Sequence, residues 1–112
     1  MPPATSHSFA PEPPPGLVRP TDVDAPVVLY TTPWCGFCRA ALALLHHRGI
    51  AHVEVDVMGN DAARDWLAHV SGQTTVPQVF VCGRSVGGYT ELSALDRSGE
   101  LGRMLASARP EG

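Results

Sequence analysis

Proline divides this chain into two unlike parts. Eight of its 11 prolines fall between Pro2 and Pro26, and each removes a backbone donor and fixes φ, so no long helix or central strand can run through that stretch. Met1 to Asp24 also holds few large apolar residues and shows no period, too little to offset the entropy of ordering. Residues 1–25 are therefore expected to form a disordered, Pro-rich tail, with one domain over 26–109. Pro11, Pro13, Pro14 and Pro15 interrupt every stretch before Leu17 that a secretory signal would need to keep apolar. No later run approaches the roughly 18 apolar residues of a membrane helix. The expectation is a protein of the cytoplasm with no membrane partner.

Beyond Pro26 short apolar runs alternate with helical periods, the pattern of an α/β domain with a partly parallel sheet. Val27-Val28-Leu29-Tyr30 reads as a buried strand. Gly36 to Arg48 carries the Ala and Leu content of a helix, ended by Gly49 with His46, His47 and Arg48 against the C-terminal dipole. Ile50 to Val57 alternates Val53, Val55 and Val57 with His52, Glu54 and Asp56, which predicts an edge strand with one wet face. A second helix, capped by Asn60 or Asp61, places Ala63, Trp66, Leu67 and Val70 on one stripe before Gly72. Val79-Phe80-Val81, a Cys82-to-Ser85 turn and Val86 predict a hairpin that Gly87-Gly88 breaks. Thr90 is the expected cap of a helix through Leu92 and Leu95, and Ser98 the start of a last one.

The net charge of −3 comes without any basic block, which argues against nucleic acid as a partner. Three cysteines are too few, and odd in number, for a secreted disulfide scaffold. The Cys35-x-x-Cys38 spacing alone fits a redox pair, half of a zinc site, or neither. Position says more. Cys35 stands where a buried strand meets a helix, and the unpaired N–H groups and positive dipole end of a helix start favour a thiolate. That makes Cys35 the candidate nucleophile and Cys38, one turn later, the candidate resolving thiol. Zinc would need two more ligands from Cys82, His46, His47, His52 and His69, and none of these forms a second closely spaced pair. Trp34 and Phe37 either shield the thiols and meet a substrate or simply pack. Cys82 reads as an incidental surface cysteine.

Three motifs resemble the glutaredoxin family in the family's order: Tyr30-Thr31-Thr32-Pro33-Trp34-Cys35-Gly36-Phe37-Cys38, then Thr75-Val76-Pro77-Gln78-Val79-Phe80, then Gly87-Gly88-Tyr89-Thr90-Glu91-Leu92. The stretch Ser71 to Gln78 is similar to the short bacterial dithiol members. The resemblance implies a thioredoxin fold, a four-stranded mixed sheet flanked by helices, with Pro77 cis and facing the redox-active cysteines. It implies a glutathione-dependent thiol-disulfide oxidoreductase acting on glutathionylated or disulfide-containing proteins, monomeric when free of any cluster. Thr75 and Val76 would hold the cysteinyl part of glutathione and Gly88, Tyr89 and Thr90 its γ-glutamyl end, at a helix N-terminus suited to anions. Arg64 would reach the glycine carboxylate, and Thr32 and Phe37 complete the set. Thr32 stands where many relatives have Lys, and Thr90 where an Asp is common, which points to weaker affinity or to another low-molecular-weight thiol as reductant. Gly36 follows the cluster-carrying relatives, so the resemblance also offers an alternative: a homodimer bridged by a [2Fe-2S] cluster.

Overall fold

The structure, a computed structural model, describes residues 12–108; the expected tail over residues 1–11, and residue 109 of the expected domain, lie outside the described residues. The chain forms β1 (Val27–Thr31), α1 (Gly36–His47), β2 (His52–Asp56), α2 (Asp61–Ser71), β3 (Gln78–Val81), β4 (Arg84–Gly87), α3 (Tyr89–Ser98) and α4 (Glu100–Ala108). One mixed sheet runs in the order β2-β1-β3-β4, with β1 parallel to β2 and antiparallel to β3, and β3 antiparallel to β4.

Side chains alternate across β1, and both of its faces are covered. Val27 and Leu29, with Val79 and Val81 of β3, pack on Ala41 and Leu45 of α1, Leu92 of α3 and Leu101 of α4. Val28 and Tyr30, with Phe80, turn the other way onto Ala63, Trp66 and Leu67 of α2. All of β1 is buried, which is why it reads as an unbroken apolar run; each large side chain so covered contributes roughly 1.5–3 kcal/mol. Tyr30 meets Trp66 and Phe80 edge-on at 5.9 and 5.5 Å, and Trp66 stacks on Phe80 at 6.2 Å. At the sheet edge β2 keeps Glu54 and Asp56 exposed while Val55 joins the α2-side cluster. Asn60 is the cap of α2: its Oδ1 accepts the Ala63 N–H at 3.0 Å. Gly72, at φ 75°, ends that helix.

Four local readings change. The hairpin turn is two residues long, because Cys82 and Gly83 both take left-handed φ, 52° and 84°. That conformation matches the twist of the flanking strands, so Arg84 and Ser85 pair within β4. Thr90 is not a cap; α3 begins at Tyr89 with Gly88 before it. Glu91, third in the helix, accepts the Gly88 N–H at 2.8 Å, and this carboxylate satisfies the helix start in place of the Thr90 hydroxyl. Ser98 closes α3 instead of opening α4, and its Oγ accepts the Glu100 N–H at 3.2 Å.

The fourth change concerns the tail. Over residues 12–25 it is a strap laid on the sheet, with Leu17 and Val23 packed against the Tyr30, Trp66 and Phe80 cluster. A turn from Pro14 to Leu17, with Gly16 at φ 86°, bends it, and Asp22 receives the Arg19 N–H at 2.9 Å. The Tyr30 hydroxyl donates to the Val18 carbonyl. Composition judged whether this segment could fold alone; it leaves out that α2, a single helix, leaves part of an aromatic sheet face for the strap to cover.

Burial holds the Tyr30 phenol well above its usual range, with the Asp22 carboxylate adding to the effect, so it remains a donor throughout the working pH range. Replacing it by Phe leaves the Val18 carbonyl without this partner. Tyr30→Phe should lower the unfolding free energy by about 1 kcal/mol, read as a downward shift of the urea midpoint; an unchanged midpoint would show that the strap bond carries no stability.

Candidate functional site

The buried strand β1 ends at Thr31, and four residues later Cys35 caps α1. Its Sγ accepts the Cys38 N–H at 3.1 Å, one of the orphan donors every helix start leaves. The Cys35 thiol also lies 3.6 Å from the Val76 carbonyl, to which it donates. Cys38 is buried, only 1% exposed. Burial above all, then the hydrogen bond with Cys35, pushes its thiol up to about 12, against the pull of the Thr32 backbone N–H. The two sulfurs thus stand in opposite settings, one reachable at the helix tip and one sealed beneath it.

Beside Cys35 opens a cleft of about 280 Å³. Phe37 of α1 forms one side, Thr75, Val76 and Pro77 of the α2–β3 loop another, and Gly88, Tyr89 and Thr90 at the start of α3 the third. The Val76–Pro77 bond is cis, as the resemblance implied. Phe37 and Tyr89 stack across the opening, centroids 6.2 Å apart. Phe37 and Trp34 are 63% and 89% exposed, so neither is core and both are available to a substrate. A larger hollow of about 690 Å³, between the strap, the β3–β4 turn and Leu105, contains neither Cys35 nor Cys38.

Glycine is required where the walls meet. Gly87 has φ 107°, and a Cβ there would come within 2.9 Å of the Glu91 side chain. A Cβ on Gly88 would sit 3.3 Å from the Pro77 carbonyl, which shows how closely α3 approaches the proline loop.

Seven of the residues singled out for binding therefore line one cleft with Cys35 at its rim. Two stand apart. Arg64 donates to the Thr74 carbonyl at 3.3 Å, behind Thr75, and Thr32 contributes its backbone N–H to Cys38 while its side chain is absent from the cleft wall. Two lining residues escaped the sequence reading, Gln73 and Glu91. Glu91 had a signal, an acid at the third position of a helix, which the assignment of Thr90 as cap obscured. Gln73 had none. The Glu91 carboxyl is held below its usual range by its own backbone N–H and that of Gly88.

Among the described residues no three His, Cys, Asp or Glu side chains converge to hold a metal ion. No helix among the described residues is long and apolar enough to cross a membrane.

Residues 27–86 match the sequence profile of the glutaredoxin family. Over 82 residues the chain is 42% identical to a glutaredoxin of Pseudomonas aeruginosa, covering 73% of this chain and 98% of that one. Glutaredoxin 3 of Escherichia coli is 41% identical over 81 residues, 72% of this chain and 98% of its own. Among solved structures, a buckwheat glutaredoxin–glutathione complex superposes with a TM-score of 0.70 at 29% identity, covering 75% of this chain and 79% of that one. A glutaredoxin from Brucella melitensis gives 0.66 at 32% identity, over 88% and 99%.

The contrast between the thiols has a direct readout. With its thiol raised to about 12 and its sulfur sealed, Cys38 stays neutral and covered through pH 7–9, so iodoacetamide should label Cys35 and the exposed Cys82 in the reduced protein and spare Cys38. Peptide mass mapping checks this, and labelling of Cys38 at a rate matching Cys35 would contradict it.

Proposed function

Because the chain belongs to the glutaredoxin family and is a thiol-disulfide oxidoreductase of thioredoxin fold, we propose that Cys35 is its attacking thiol and that its cleft receives glutathione. The observation that carries this reading is the position of the Cys35 sulfur at the helix tip, 3.6 Å from the Val76 carbonyl at the rim of the cleft. An extended γ-glutamyl-cysteinyl-glycine fits that rim by backbone pairing: the Val76 main chain pairs with the cysteinyl residue, as a strand edge pairs with a peptide. The glutamyl carboxylate then approaches the first turn of α3, where Tyr89 and Thr90 offer N–H groups. The Gly88 N–H is already taken by Glu91.

In the reaction Cys35 thiolate attacks the glutathione sulfur of a protein–glutathione mixed disulfide. The S–S bond breaks, the protein leaves as its thiol, and glutathione stays on Cys35. A second glutathione thiolate attacks that glutathione's sulfur, leaves as glutathione disulfide and restores Cys35. With a protein disulfide, Cys35 joins one substrate sulfur and the other leaves. Cys38 then loses its proton, attacks the Cys35 sulfur and releases the reduced substrate, forming the Cys35–Cys38 disulfide that two glutathiones later reduce. The high proton affinity of Cys38 suits a thiol that acts only after Cys35 is engaged.

The exposed rings of Trp34 and Phe37 give the polypeptide part of either substrate an apolar surface beside the sulfur. Thr32 in place of a cationic side chain leaves the carboxylates of glutathione without that counter-ion. The protein works as a monomer in the cytoplasm, where the glutathione pool keeps such a dithiol reduced.

Two variants test the assignment. Cys38→Ser should retain reduction of a glutathione mixed disulfide within about threefold of the unaltered protein and lose most reduction of protein disulfides. Cys35→Ser should lose both, measured as glutathione-coupled turnover; residual deglutathionylation by Cys35→Ser would refute Cys35 as nucleophile.

A further inference from the structure

Through the cleft wall runs a chain of amide and carboxylate contacts. Gln78, fully buried, donates from Nε2 to the Thr75 carbonyl and to Gln73 Oε1, each at 2.9 Å. Gln73 donates from Nε2 to Glu91 Oε2 at 3.3 Å, and Glu91 Oε1 accepts the Gly88 N–H at 2.8 Å. The relay joins the α2–β3 loop, through Thr75, to the start of α3, through Gly88. Gln73 is the link that touches both sides.

The charge at one end sets the direction of the whole. A carboxylate only accepts, so Gln73 must turn its NH₂ to Glu91 and its oxygen to Gln78. Gln78 must then present its NH₂ to two oxygens, which leaves its own Oε1 buried with no hydrogen-bond partner among the described residues. A buried acceptor without a donor is costly, and flipping the Gln78 amide would set oxygen against oxygen twice. The orphaned atom is the consequence of a relay polarised by Glu91.

We propose that Gln73 is a positioning residue for the thiol cosubstrate, locking the wall that pairs with the cysteinyl backbone to the wall that receives the glutamyl end. The two ends of the cosubstrate are then held by one rigid unit, and loosening the link costs binding without touching the sulfur chemistry. This rests on the glutathione reading above.

Gln73→Met keeps the side chain's length and removes both hydrogen bonds; Gln73→Glu keeps the acceptor and sets a second carboxylate against Glu91. With a small glutathione mixed disulfide as substrate, Gln73→Met should raise KM about fivefold, the loss of one to two hydrogen bonds, and leave kcat within about twofold. Gln73→Glu should raise KM further at pH 7. Its ratio to the unaltered protein's KM should fall as the pH is lowered towards about 5, because a proton shared between the two carboxyls restores the donor. The charged and titratable groups around Gln73 are Glu91 and Tyr89 on α3 and Arg64 of α2 at the neighbouring Thr74 carbonyl, and both proteins are compared at each pH. A KM for Gln73→Met within twofold of the unaltered protein, or a Gln73→Glu ratio independent of pH, overturns the proposal. If the unaltered protein itself fails to turn over the glutathione substrate, the glutathione reading falls and this one with it; normal turnover with an unaffected Gln73→Met sinks this one alone.

Discussion

Every part of the site hangs from the two-sided burial of β1. With both faces covered, no residue of that strand can carry exposed chemistry, and the first residues free to do so are those just past Thr31. The chain leaves the sheet there and caps a helix with Cys35 after three intervening residues, so that sulfur arrives at a helix tip already fixed by the core beneath it. The antiparallel neighbour β3 begins at the same end of the sheet, which brings the Val76–Pro77 loop alongside. The start of α3 is drawn to the same place, because Gly88 permits an approach to the Pro77 carbonyl that a side chain would crowd. The geometry of the cleft is an outcome of sheet order and of where side chains are absent.

The same burial puts two identical functional groups in opposite settings. Cys35 and Cys38 are one helical turn apart, yet the first takes an amide donor at the helix tip while the second is buried beneath it. Desolvation penalises the charged form of a thiol, and the neighbouring sulfur adds to that penalty, so Cys38 keeps its proton.

Much of this was legible in the residues. The unbroken run Val27 to Tyr30, the alternation around Val53 and Val55, and the stripe of Ala63, Trp66 and Leu67 each carried their own periodicity, and the structure follows them. The cysteine pair was legible because its chemistry and its position at a strand–helix junction agree. What was not legible depended on partners distant in sequence. Thr90 is a good cap in isolation and loses only because Glu91 reaches back to Gly88. Gln73 has no periodic or compositional signal, since its role is set by Gln78 on one side and Glu91 on the other. The strap is the clearest case: nothing between Glu12 and Asp24 announces order, because the surface that orders it is made by Tyr30, Trp66 and Phe80.

That last feature has a consequence for the order of assembly. Leu17 and Val23 lie at the front of the chain, while two of the three rings they cover come from α2 and β3, some 40 to 60 residues later. The strap therefore cannot dock until the sheet it rests on exists, and closing so long a loop brings its entropic cost after most of the core has formed. Contacts made last are the first to open. Amide exchange in the native protein would find its lowest protection along residues 12–25, with the rings of the α2 face exposed to water for the duration of each opening while the opposite face of the sheet, under α1, α3 and α4, stays sealed.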